Sequence, residues 1–133
     1  MTSDAQWRLR VAIWTLLGCS ATCGVARAED LATFMRAKLT HSEKVLEGLT
    51  REDYDLIAKH SQAMSLLCQD EQWQVLKSAE YVERSREFRR SVDEITAAAK
   101  AKNLEAATLA YVDSTTKCVS CHTYLRRVNR RDK

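Results

Sequence analysis

Near the end of the chain, Cys118-Val119-Ser120-Cys121-His122 puts two thiols and an imidazole within five residues. On a helix the i, i+3, i+4 spacing gathers all three side chains on one face. Each residue type has its own chemistry. Two thiols can add across the vinyl groups of a haem, and the adjacent imidazole can bind the iron from one side. Cys-x-x-Cys-His is the string that attaches haem c. The expected cofactor is one covalent haem c, with Cys118 and Cys121 as thioethers and His122 as the proximal iron ligand.

Other readings of the string fare less well. A redox Cys-x-x-Cys disulfide belongs in a βαβ context, and no strand pattern occurs here. A structural zinc site wants four ligands, and no second Cys/His pair is visible. No Ser/Cys–His pair stands apart from the haem string, and the carboxylates form no acid/base cluster, so the chain does not read as an enzyme.

The compartment agrees with the string, because haem c is attached outside the cytoplasm. Arg8 and Arg10 precede an apolar run from Val11 to Leu17, and Ala26-Arg27-Ala28 closes the segment with a small-x-small pattern. Residues 1–28 therefore read as a signal peptide, and residues 29–133 as one haem c domain, periplasmic after export. The apolar run is too short for a spanning helix. Leu16-Leu17-Gly18-Cys19 resembles a lipobox, and the protein would be membrane-attached only if Cys19 carried a lipid. Removing residues 1–28 takes away Arg8, Arg10, Arg27 and Asp4, which lowers the formal charge from +3 to +1. That balance gives no reason to expect nucleic acid. The basic tail of Arg126, Arg127, Arg130, Arg131 and Lys133 reads as a solvated helix end.

The elements that must position the string are helical. The chain has 133 residues with no proline and three glycines, so little interrupts a helix. Apolar residues recur at steps of three and four in four segments. The first is expected over Asp30–Leu49, with Leu31, Phe34, Met35, Leu39, Ser42, Val45, Leu46 and Leu49 inward. Thr50 reads as the N-cap of a second segment that ends near Cys68. Its apolar positions are Leu56, Ile57, Ala63, Met64 and Leu67. Gln69–Gln74 reads as a connection.

The third segment spans Ser78–Lys102, with Tyr81, Phe88, Val92, Ile95 and Ala99 inward. Asn103 caps a fourth, through Leu104, Ala107, Tyr111, Val112, Thr115, Val119 and Leu125. Small residues at Ala97–Ala99, Ala106, Ala107 and Ala110 would bring helices together or leave room for a flat cofactor. Short connections make the expected fold an all-α, antiparallel four-helix bundle.

A single Cys-x-x-Cys-His near the end of an exported four-helix chain resembles the cytochrome c′ family and its c556 and b562 relatives. The similarity covers about Leu31 to Val128. Arg126 matches a basic residue often found four places after the histidine, whereas Tyr124 falls one place short of the usual aromatic. The resemblance implies a sixth iron ligand from the first helix, and Met35 is similar in position to the methionine of the b562 and c556 kinds. His–Met ligation suits a single-electron carrier working with redox partner proteins outside the cytoplasm.

The alternative is a five-coordinate c′-type protein that binds NO or CO, with Leu39 as distal filler and Met35 as ordinary core. Arg36, Lys38 and Arg126 are candidates for the haem propionates. His60, near the apolar face of the second helix, is a weaker candidate ligand, and His41 is expected to face solvent. Cys68 reads as a buried small hydrophobe. Relatives often form homodimers through their first two helices, but no uncovered apolar stripe in the sequence compels it.

Overall fold

The computed structural model describes residues 23–74 and 78–131, and the surroundings of side chains over 31–69 and 78–130. These residues form four helices: α1 (Cys23–Arg51), α2 (Tyr54–Gln74), α3 (Ala79–Lys100) and α4 (Leu104–Arg131). No strand occurs among the described residues. The contacts divide the chain into units Met1–Asp30 and Leu31–Lys133. The apolar run of the expected export signal and its lipobox alternative at Cys19 lie outside the described residues. No helix among them is long and apolar enough to cross a membrane.

The first two helices run further than the expected boundaries, and the third, Ala79–Lys100, lies just inside the expected Ser78–Lys102. α1 begins at Cys23 rather than near Asp30, because the Ala-rich stretch that follows contains no residue that stops a helix. α2 continues to Gln74, so the polar segment expected as a connection is helical. Gln, Asp and Glu are as compatible with a helical turn as with a loop, so polarity alone did not mark a break. α4 runs to Arg131, so the basic residues Arg126, Arg127, Arg130 and Arg131 form a helix end, as expected.

Two connections share one construction. After α1, Asp53 N donates to Gly48 O at 2.9 Å and Glu52 N to Leu49 O at 3.4 Å, with Glu52 at φ 55°. After α3, Asn103 N donates to Ala98 O at 3.0 Å and Lys102 N to Ala99 O at 2.9 Å, with Lys102 at φ 54°. Both are Schellman closures with a left-handed residue, here not glycine.

In each, the next residue then caps the following helix. Asp53 Oδ1 accepts from Leu56 N at 2.9 Å, and Asn103 Oδ1 accepts from Ala106 N at 3.0 Å. Asn103 is the cap expected. Thr50 is not: it lies inside α1, and its hydroxyl donates to the Glu47 carbonyl. Ser78 caps α3 by accepting from Tyr81 N.

One core joins all four helices: Val45 and Leu49 from α1, Ile57, Met64 and Cys68 from α2, Phe88, Val92, Ile95 and Ala99 from α3, Ala107 and Ala110 from α4. Burial of such side chains supplies the main driving force for the fold. A buried hydroxyl pair, Ser61 with Thr96 at 2.7 Å, ties α2 to α3. The inward assignments on α3 agree with the core, and Cys68 is fully buried. Leu39, Leu46, Val112 and Val119 are instead about half exposed or more, at 60%, 48%, 57% and 60%. Thr115 and Ala97 are exposed as well. Periodicity identifies an apolar face but not whether another element covers it.

Candidate functional site

Cys118, Cys121 and His122 lie in the second half of α4, where unbroken helix holds them on one face. Cys118 and Cys121 are not bonded to each other. All three line a hollow of about 40 Å³ whose far wall is Tyr81, Arg84, Ser85 and Phe88 of α3. Cys118 and His122 also line a much larger cavity of about 620 Å³. Met35, Leu39 and Ser42 of α1, Met64 of α2 and Phe88 of α3 form its other walls, with Tyr111, Val119 and Arg126 of α4. Its lining is mainly apolar, and its volume lies in the range that encloses a cofactor-sized ligand.

The exposure of Leu39 and Val119 has its explanation here, since both face this cavity. A large flat apolar ligand held against them would remove that surface from water. The residues present thus fit such a group: two thiols for attachment, one imidazole beside them, and a thioether on a different helix. Ser42 Oγ and Tyr111 Oη, 3.3 Å apart, link α1 to α4 at the cavity.

Three basic residues line the cavity. Arg36 and Arg126 are exposed, and Lys38 is half-buried, its ammonium 5.4 Å from the centre of the Phe88 ring. Arg126 also donates to Thr123 Oγ1 at 3.1 Å. The cationic rim suits a ligand with an apolar body and acidic groups at its edge. Crowding around the Cys118 thiol raises its pKa, Cys121 adds to the rise, and Lys38 opposes it. A raised pKa keeps this sulfur as thiol rather than thiolate.

Arg84 is a neighbour of the site that sequence reasoning missed. Its Nη1 donates to Ser120 Oγ at 3.0 Å, inside the Cys-x-x-Cys-His string, and its Nη2 pairs with Glu80 at 2.7 Å. The guanidinium lies 4.7 Å from the centre of the Tyr124 ring. Arg84 Nε and Ser85 Oγ are buried without a hydrogen-bond partner, and both residues line the small hollow beside Cys121. Such atoms are costly. A signal for Ser85 existed in the sequence: it lies on the same period as Tyr81, Phe88 and Val92.

The two other histidines meet each other. His41 Nδ1 and His60 Nδ1 are 2.8 Å apart, with ring centres 5.1 Å apart. His41 is therefore half-buried against α2 rather than facing solvent, and His60 is not among the residues lining the large cavity. Among the described residues, no group of three or more His, Cys, Asp or Glu is arranged to hold a metal ion by itself. A macrocycle that brings its own four nitrogens needs only one protein ligand per side. The chain matches no protein-family model, no curated protein and no solved structure.

Proposed function

We propose that the chain is an exported monohaem c-type cytochrome, an antiparallel four-helix bundle of the c′, c556 and b562 kind, that carries single electrons. The observation that supports this most is the shared cavity. Met35 of α1 and His122 of α4 line one mainly apolar space large enough for a macrocycle, and Cys118 lines it beside His122. When bound, haem c would supply a one-electron iron centre whose potential depends on its axial ligands and burial.

The chain's own residues have distinct tasks in this reading. Cys118 and Cys121 hold the group covalently through thioethers. His122 would offer the iron an imidazole nitrogen and Met35 a soft thioether sulfur. Met64, Phe88, Leu39 and Val119 would pack against the group and leave little room for water beside it. Arg36, Lys38 and Arg126 receive acidic groups at the rim. Two ligands kept in both oxidation states would make reorganisation small, which suits electron transfer. Cleavage after Ala28 would leave α1 starting at Glu29. Redox proteins outside the cytoplasm are the proposed partners.

Intact mass of the protein produced with a haem c maturation system tests this reading. The expected species starts at Glu29 and carries one haem that survives denaturation and acid–acetone extraction. Cys118→Ala/Cys121→Ala should carry none. A wild-type chain of unmodified mass would contradict the proposal.

A further inference from the structure

His41 and His60 take no part in the haem reading, yet they form the closest cross-helix contact between ring nitrogens in the described structure. We infer that this pair is a binding site for a divalent transition metal, Cu²⁺ before Ni²⁺ or Zn²⁺, that clamps α1 to α2.

The spacing carries the argument. Two nitrogens each about 2.0 Å from a metal are about 2.8 Å apart when they occupy adjacent square corners, and about 3.3 Å apart in a tetrahedron. The Nδ1 atoms are 2.8 Å apart, which matches the square-planar or octahedral arrangement. Copper(II) favours that geometry with imidazole and heads the affinity order among divalent first-row metals. The rings are tilted by 42°, so neither stacks flat on the other. The two residues come from separate long helices, so the donors are brought together before any metal arrives.

The chemistry balances without an added reagent. In the metal-free pair one ring donates its Nδ1 proton to the other Nδ1. On binding, that ring keeps its proton on Nε2 instead, and the metal takes both Nδ1 lone pairs. Burial and the proximity of His41 lower the proton affinity of His60, which favours the neutral ring that a metal requires. Lys44 and Lys59 oppose a cation here, and Glu47 favours one. No third His, Cys, Asp or Glu joins the pair among the described residues, so water would complete the coordination. The site is then an open one of moderate affinity.

The test is independent of the haem reading. The full chain, its remaining thiols alkylated, is titrated with Cu²⁺ and followed by calorimetry and electron paramagnetic resonance. The expected result is one Cu²⁺ per chain coupled to two imidazole nitrogens, bound roughly tenfold or more weaker in His41→Gln and in His60→Gln. Circular dichroism establishes that each variant is folded. Saturating Ni²⁺ should also raise the thermal midpoint of the parent, because metal bonds only the folded pair. Equal copper binding in parent and folded variants, a one-nitrogen signal in the parent, or a midpoint unmoved by Ni²⁺ would overturn the inference.

Discussion

Met35 on α1 and His122 on α4 line the same cavity, so the first and last helices each present a thioether or an imidazole to one space. Leu39, one turn beyond Met35, lines that cavity too. In the proposed haem protein, the side chain at position 35 would decide between a closed coordination sphere and an open one. Met35→Ala should convert a low-spin haem protein into a high-spin one that binds carbon monoxide, with covalent haem retained. An unchanged low-spin spectrum in this variant would remove Met35 from the iron.

Gly48 is held by contact rather than by backbone conformation. A Cβ there would lie 2.8 Å from Ile57 Cγ1, 3.1 Å from Ile57 N and 3.2 Å from Asp53 O. Two of those atoms are backbone and cannot swing away. Alanine gains about 1 kcal/mol in helix propensity, but the overlap costs about 1–3 kcal/mol. Gly48→Ala should therefore lower stability by about 1 kcal/mol, measured by urea unfolding. A stabilised variant would show that α1 and α2 can separate at this point.

Glu52 and Lys102 sit at φ 55° and 54°, where a Cβ is strained. The left-handed conformation costs about 1–2 kcal/mol for an ordinary residue, and the greater freedom of an unfolded glycine takes back about 0.5–1 kcal/mol. Glu52→Gly and Lys102→Gly should each stabilise the fold, by up to about 1 kcal/mol. Thermal unfolding of the two variants checks this, and a loss of stability in both would mean that the turns are not Schellman closures.

Acid should weaken the α1–α2 contact through His60. Burial, then His41 and the lysines Lys59 and Lys44, push its pKa below the ordinary value of 6.5 in the folded chain, with Glu47 opposing. The unfolded chain then binds the proton more readily. Stability is full above about pH 6.5 and falls as pH drops from there through the folded pKa. Denaturant unfolding at a series of pH values should show a shallower fall for His60→Gln than for the parent. Identical slopes would mean that the contact carries no such linkage.

Much of this structure was legible in the residues. The steps between Tyr81, Phe88, Val92, Ile95 and Ala99 identify the buried face of α3, because a 3.6-residue period needs no tertiary information. Asn103 announced its helix for the same local reason. The turn after α1 was misread because Thr50 and Asp53 are both good caps, and the choice rests on where the chain enters the left-handed conformation. A glycine would have marked that place, but Glu52 occupies it.

The sequence placed Cys118, Cys121 and His122 on one helical face and Met35 on the apolar stripe of the first helix, and the structure brings Met35, Cys118 and His122 to one cavity. Arg84 was not, since an arginine on a charged helix gives no sign of reaching Ser120 on another. The meeting of His41 and His60 depends on how α1 and α2 align along their lengths, which no single-helix pattern records.

The visible absorption spectrum of the reduced, haem-matured protein, taken before and after carbon monoxide, tests the central claim most directly. Sharp low-spin bands that the gas leaves unchanged are the predicted result, with Met35 and His122 closing the iron on both sides. Broad high-spin bands that shift with the gas would contradict the electron-carrier reading in favour of a five-coordinate protein, and a colourless protein would contradict the haem.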